Sequence, residues 1–188
     1  GQTWQRSKTL QALKDAESGR RIMLQEPGVA QLRDGRLLCW VRTDAGFQYQ
    51  AYSDDDGDSW SRFRPSPLAS PRSPATIERI PATGDLLAVW NDHSFVELGE
   101  RKTRTPLSYA ISCDDGETWT DSIPIQGDPD GWYCYTAIEF VDDAVLLGYC
   151  AGRQSPGQHL ATTILQRQPL DVLYLRAMQG RVVEHRRI

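Results

Sequence analysis

The stretch Ser53-Asp54-Asp55-Asp56-Gly57-Asp58-Ser59-Trp60 decides the fold, because the chain repeats it. It reads Ser-x-Asp-x-Gly-x-Ser-Trp, and Ser112-Cys113-Asp114-Asp115-Gly116-Glu117-Thr118-Trp119 reads Ser-x-Asp-x-Gly-x-Thr-Trp. Gly1-Gln2-Thr3-Trp4 matches the last four positions of a further copy. The glycines therefore recur at a period of roughly sixty residues, a spacing that signals repeated structural units. The residue types suit a tight hairpin turn. Asp55 and Asp114 can accept hydrogen bonds from turn amides, Gly57 and Gly116 can take positive φ, and each Trp can fold back over the turn.

Around each box the chain runs in short alternating apolar segments. Ile22–Leu32 leads into a strand, Arg33-Asp34-Gly35-Arg36 turns, Leu37–Arg42 runs back and Phe47–Ser53 enters the first full box. After the Pro-rich residues 65–74 the order recurs: strand Ala75–Ile80, turn Pro81–Asp85, strand Leu86–Asn91, a charged loop His93–Thr105, then strand Leu107–Ser112 into the second box. Trp132–Phe140, the turn Val141-Asp142-Asp143 and Ala144–Cys150 begin another unit, with Leu160–Gln166 and Val172–Leu175 as its last strands. The basic stretch Arg181–Ile188 reads as an edge strand or a frayed end, and residues 5–20 as a connection between units. No segment reads as a long amphipathic helix. Strand-built units of this period indicate the blades of an all-β propeller. A closed ring takes about four to eight blades. The 188 residues, which hold about three units, are expected to be the C-terminal portion of a longer chain.

Composition excludes several classes. The net charge is −4, with 21 basic and 25 acidic residues interspersed, which argues against a nucleic-acid surface. No apolar stretch approaches the roughly eighteen residues of a membrane span. Cys39, Cys113, Cys134 and Cys150 show neither CxxC nor Cys/His metal spacing, so neither metal nor cofactor is expected. Buried thiols are the first reading, with a Cys134–Cys150 disulfide as the alternative.

Beyond the boxes, five stretches carry a likeness. They are Gln25-Glu26-Pro27-Gly28-Val29, Asp34-Gly35-Arg36-Leu37-Leu38, Val41-Arg42-Thr43, Arg104-Thr105-Pro106-Leu107 and Tyr133-Cys134-Tyr135-Thr136-Ala137-Ile138. Together with the boxes they resemble the sialidases (neuraminidases), glycoside hydrolases of the Asp-box or BNR-repeat β-propeller family. The last motif reads Tyr-Thr-Ala-Ile, where many sialidases show Tyr-Ser-Asp-Leu. The resemblance implies a six-bladed propeller, of which residues 1–188 are a partial domain with its N-terminal blades absent. It implies an exo-glycosidase that removes a terminal sialic-acid-like sugar with retention, and it favours an extracellular or periplasmic setting.

By the same resemblance Tyr135 is the nucleophile, Glu26 the carboxylate that takes its proton, and Arg42 and Arg104 two of three arginines that hold the substrate carboxylate. The first arginine and the Asp acid/base would lie in the missing blades. The chemistry suits these types. Arginine grips a carboxylate with a planar fork, and a neutral phenol avoids the repulsion an anionic nucleophile would meet at a carbon bearing a carboxylate. A phenol is a weak nucleophile at neutral pH and needs a base within hydrogen-bond reach. From the residues alone, Arg42, directly after Leu-Leu-Cys-Trp-Val, reads first as functional and second as a solvated strand-end arginine. Arg104, with Arg101 and Lys102 close by, reads equally as either. Glu26 reads equally as a strand-edge carboxylate. Tyr135 reads equally as a core aromatic, on the same strand face as Tyr133 by a period of two. Glu139, four residues along that strand, lies beyond its reach. Trp90-Asn91-Asp92 reads as a strand-end turn that could line a pocket. A different class stays open: a non-catalytic Asp-box propeller that binds glycans or proteins, which would have no need for these four residues to converge.

Overall fold

Leu37–Arg42 and Leu86–Trp90 are apolar at almost every position, a pattern stable only in strands covered on both faces. The computed structural model, which describes residues 2–184, shows such strands inside a row of stacked sheets. Two short strands, β1 (Leu13–Lys14) and β2 (Arg21–Ile22), pair with each other within and beside the connection read as polar. Next come β3 (Gln25–Gln31), β4 (Leu37–Arg42), β5 (Phe47–Ser53) and β6 (Arg64–Ala69), one antiparallel sheet in chain order. A second such sheet holds β7 (Thr76–Arg79), β8 (Leu86–Trp90), β9 (Leu107–Ser112) and β10 (Ile123–Gln126). The third holds β11 (Gly131–Val141), β12 (Ala144–Arg153) and β13 (Thr162–Pro169), followed by the helix α1 (Leu170–Glu184). The two four-stranded sheets and the third sheet are propeller blades. Their first strands stand side by side, β3 against β7 and β7 against β11.

The core lies between blades, and the period of two decides which side each residue serves. On β4, Leu38 and Trp40 pack toward β8 with Leu86, Ala88 and Trp90, while Cys39 and Val41 pack toward Leu13, Ile22 and Tyr49. On β8 the alternate residues Leu87 and Val89 face the next interval, with Leu107, Tyr109, Ile111, Val145, Leu147 and Tyr149. Each middle strand thus staples two interblade cores.

Several expectations differ from the structure. Val172–Leu175 lies in α1, because Leu170, Leu173, Tyr174 and Ala177 make a helical stripe that packs on the third blade's core. Tyr109 donates its hydroxyl hydrogen to the Leu173 carbonyl at 3.0 Å, fixing the helix on β9. Of the basic stretch, Arg181–Glu184 continues this helix, and residues 185–188 lie outside the described residues, as does Gly1. The outer strands β6 and β10 fall in segments not read as strands, since each carries prolines that an outer edge tolerates. Of the two cysteine readings the first holds for Cys39 and Cys134, which are buried thiols, while Cys113 is exposed. Cys134 and Cys150, though cross-strand partners, form no disulfide. Among the described residues no helix is long and apolar enough to cross a membrane.

Both boxes close the hairpin between the third and fourth strands of a blade, and they match bond for bond. Ser53 Oγ accepts from Gly57 N at 2.9 Å while Asp55 accepts from Ser59 N at 2.8 Å and Ser59 Oγ at 2.6 Å. In the second copy Ser112, Asp114, Gly116 and Thr118 repeat this at 2.8, 2.8 and 2.5 Å. Gly57 and Gly116 sit at φ 88°, directly after Asp56 and Asp115 at 57° and 60°, so the turn needs two left-handed residues in succession. The boxes lie at the end of the sheet opposite Arg42, since Leu37 pairs with Ser53 and Arg42 with Gln25. They therefore serve stability. Asp114→Ala is expected to lower the unfolding free energy by about 1–2 kcal/mol, the scale of losing a side chain that caps backbone amides. Chemical denaturation of the intact protein measures it, and a ligand-affinity change in the folded variant would contradict the assignment. The Ser59 hydroxyl and amide, with the Ser53 hydroxyl, hold the Asp55 carboxyl down at about 2. That stabilisation is present above the ordinary carboxylate range and is lost as pH falls toward about 2.

Candidate active site

The two inner strands β3 and β11 share an irregularity that their sequences conceal. Between the pairs Gln25–Arg42 and Gly28–Trp40, two residues of β3 oppose one of β4. Between Cys134–Cys150 and Ala137–Gly148, two residues of β11 likewise oppose one of β12. The first residue of each bulge takes a left-handed conformation, Glu26 at φ 51° and Tyr135 at φ 56°. Such a bulge usually places glycine there, and a non-glycine residue costs about 1–2 kcal/mol. Both strained residues are candidate site residues, and strain of this kind concentrates at functional sites.

The bulge at β11 overturns the expectation that Tyr133 and Tyr135 share a face. Tyr133 is buried, its ring edge-on to Tyr149 at 6.4 Å between centroids, whereas Tyr135 is 47% exposed. A core role for Tyr135 is thereby excluded. The bulge is also pinned from the neighbouring blade, where Thr76 Oγ1 donates to the Thr136 carbonyl at 2.6 Å.

The four residues from three blades meet, although they lie as much as 109 positions apart in sequence. The Tyr135 hydroxyl donates to Glu26 Oε1 at 3.2 Å. Arg42 Nη1 donates to both Glu26 oxygens, at 2.8 and 3.0 Å. The Arg42 side chain is only 11% exposed and its buried Nε has no partner, so this guanidinium is committed to Glu26 on one side. Neither a solvated Arg42 nor a lone edge carboxylate at Glu26 describes this pair. Arg104 places its guanidinium carbon 5.7 Å from the Tyr135 ring centre and 5.3 Å from that of Trp132. Cys134, next to Tyr135 in the chain, is a buried thiol pushed up by desolvation against the opposing influence of Arg104 and Arg42. Glu139 stands apart from the cluster. It faces Glu78, whose carboxyl is raised first by burial and then by that neighbouring charge.

Sequence reasoning left several supporting residues without a role. Asn91 is fully buried, and its Nδ2 donates to the Arg104 and Pro106 carbonyls at 2.8 and 3.2 Å, anchoring the backbone of Arg104. Tyr133 N also donates to the Arg104 carbonyl, at 3.0 Å. Asp92 instead accepts from Ser94 and Ser122 in a loop turn. Trp132 and His159 stack at 4.3 Å, a pairing that no motif in the sequence marks. Among the described residues no group of His, Cys, Asp or Glu could hold a metal ion.

Two stacked four-stranded antiparallel blades, both closed by Asp-box hairpins, and a three-stranded blade beside them make the fold that of a sialidase-type propeller. The chain belongs to the BNR repeat-like domain family, whose model matches residues 1–147. Solved structures share the fold. The leech intramolecular trans-sialidase, complexed with 2,7-anhydro-Neu5Ac, superposes with a TM-score of 0.64 at 17% identity over 81% of this chain and 24% of its own. The Ruminococcus gnavus intramolecular trans-sialidase, in complex with oseltamivir carboxylate, gives 0.61 at 19% over 78% and 32%. The Trypanosoma rangeli sialidase gives 0.59 at 16% over 86% and 26%. The chain thus spans a quarter to a third of the length of these structures. No curated protein matches the sequence.

Proposed function

We propose that the full-length protein is a sialidase-like exo-glycoside hydrolase that removes a terminal acidic sugar with retention. The observation that carries this reading is the hydrogen bond from the Tyr135 hydroxyl to Glu26, inside a cluster that also gathers Arg42 and Arg104. Tyr135 Oη attacks the anomeric carbon, and its proton passes to Glu26 as the glycosidic bond breaks. The departing oxygen takes a proton from an Asp acid in blades outside residues 1–188. That Asp then takes a proton from water as the water releases the sugar from tyrosine, and two inversions give net retention. Arg104 and the free edge of Arg42 bind the sugar carboxylate, joined by a third arginine from those same blades. The sialic-acid-type ligands of the leech and Ruminococcus gnavus structures support a carboxylated sugar as substrate.

The purified full-length protein is expected to cleave a fluorogenic sialoside, with the retained anomer appearing first by NMR. Residues 1–188 alone are expected to be inactive, since the acid and one arginine lie elsewhere. An inverted first product, or no turnover by the full-length protein, would sink the proposal.

A further inference from the structure

Arg42 and Arg104 are held by different means. Arg42 is ion-paired with Glu26, whereas Arg104 makes no ion pair among the described residues. Its side chain rests instead on two aromatic rings, Trp132 and Tyr135. Aromatic faces attract a guanidinium without consuming its N–H donors, so the fork keeps its capacity for an incoming carboxylate. An acidic side chain in the same place would hold Arg104 more tightly and compete with the ligand.

Trp132 is itself supported. The loop of residues 154–160 folds back over β12, where Gln158 N donates to Ser155 O and Arg153 N to Gln158 O. This places His159 on the Trp132 ring, centroids 4.3 Å apart and planes 19° from parallel, with His159 Nε2 within 3.0 Å of the Gln154 carbonyl. Gly152, the cross-strand partner of Trp132, makes room for the loop. A Cβ there would lie 1.9 Å from the Gln158 carbonyl oxygen. One chain of contacts runs from the loop through His159 and Trp132 to Arg104 and Tyr135.

Resting on the sialidase-like reading of the site, we propose that Trp132, backed by His159, is the positioning residue that keeps Arg104 aimed and uncompensated for the ligand carboxylate. Trp132 acts through Arg104 and does not itself touch the reacting atoms.

Oseltamivir carboxylate and its ethyl ester test this by calorimetry on the full-length protein, because the pair differs only at the carboxylate. Trp132→Ala is expected to weaken the carboxylate about tenfold and the ester by less than about twofold. Trp132→Phe, which keeps an aromatic face, should recover most of that loss, and His159→Ala should show a smaller one of the same selectivity. With a fluorogenic sialoside, KM should rise more than kcat falls. Equal weakening of both ligands, or a Phe variant no better than Ala, overturns the clamp while leaving the sialidase-like reading standing. Wild-type protein that binds neither ligand overturns both. Should Trp132→Ala unfold, Trp132→Phe and His159→Ala still decide, since unchanged carboxylate affinity in His159→Ala and equal losses on both ligands in Trp132→Phe count against the proposal.

Discussion

Tyr135→Phe in the full-length protein is expected to lower sialoside turnover by at least about a thousandfold, the scale of removing a nucleophile. Affinity for oseltamivir carboxylate is expected to stay within about threefold of wild type, because the clamp remains. The structure supplies the reason for separating the two effects. The hydroxyl is the only group lost, and it is the atom that reaches Glu26 at 3.2 Å. The ring that Arg104 covers is retained, and a phenyl face attracts the guanidinium much as a phenol does. Tyr135 is half-exposed on its bulge, so no buried hydrogen bond in the core is broken. A steady-state assay beside calorimetry reads both quantities on one preparation. A variant with more than about a tenth of wild-type turnover would remove Tyr135 from the nucleophile role.

The fold was legible where a strand is buried on both faces or closed by a box. β4, β5, β8 and β9 carry apolar runs and serine–aspartate–glycine turns whose residue types admit few alternatives. The outer strands β6 and β10 escaped, because Pro65, Pro67 and Pro124 look like loop residues until an edge accommodates them. Helix α1 escaped because Val172–Leu175 is also a plausible short strand, and only the longer spacing to Ala177 reveals a helical stripe. The site was legible one residue at a time, through likeness of motif. Its geometry was not. Nothing in Glu26-Pro27 or Tyr135-Thr136 announces a left-handed residue, since the position that a bulge normally gives to glycine holds a large side chain. A period of two therefore put Tyr133 and Tyr135 on one face, and the bulge set them apart. Trp132 and His159 had only the weak signal of an aromatic opposite a glycine, Gly152.

Gly28→Ala is expected to be among the most disruptive single changes in the chain, costing about 3 kcal/mol of stability and most of the turnover. Gly28 follows the bulge that carries Glu26, and its cross-strand partner is Trp40. The indole lies across the glycine so closely that a Cβ would stand 2.2 Å from its Cζ2 and 2.3 Å from its Cε2. Trp40 cannot easily give way. It is buried among Leu38, Leu86 and Trp90, and its Nε1 donates to the Ala75 carbonyl at 3.0 Å, tying this blade to the strand that begins at Thr76. Either the indole leaves that core or β3 moves away from β4, and both outcomes disturb the register that aims Glu26 at Tyr135. In the larger full-length protein the midpoint of thermal unfolding should fall by a few degrees, less than about 12 °C. Turnover should fall further than the unfolded fraction accounts for, which separates displacement of Glu26 from simple loss of folded protein. Combining Gly28→Ala with Trp40→Leu should relieve the clash, so that the double variant is more stable than the sum of the two single losses implies. Wild-type stability and turnover in Gly28→Ala would show that the indole yields freely and that the bulge holds Glu26 without it.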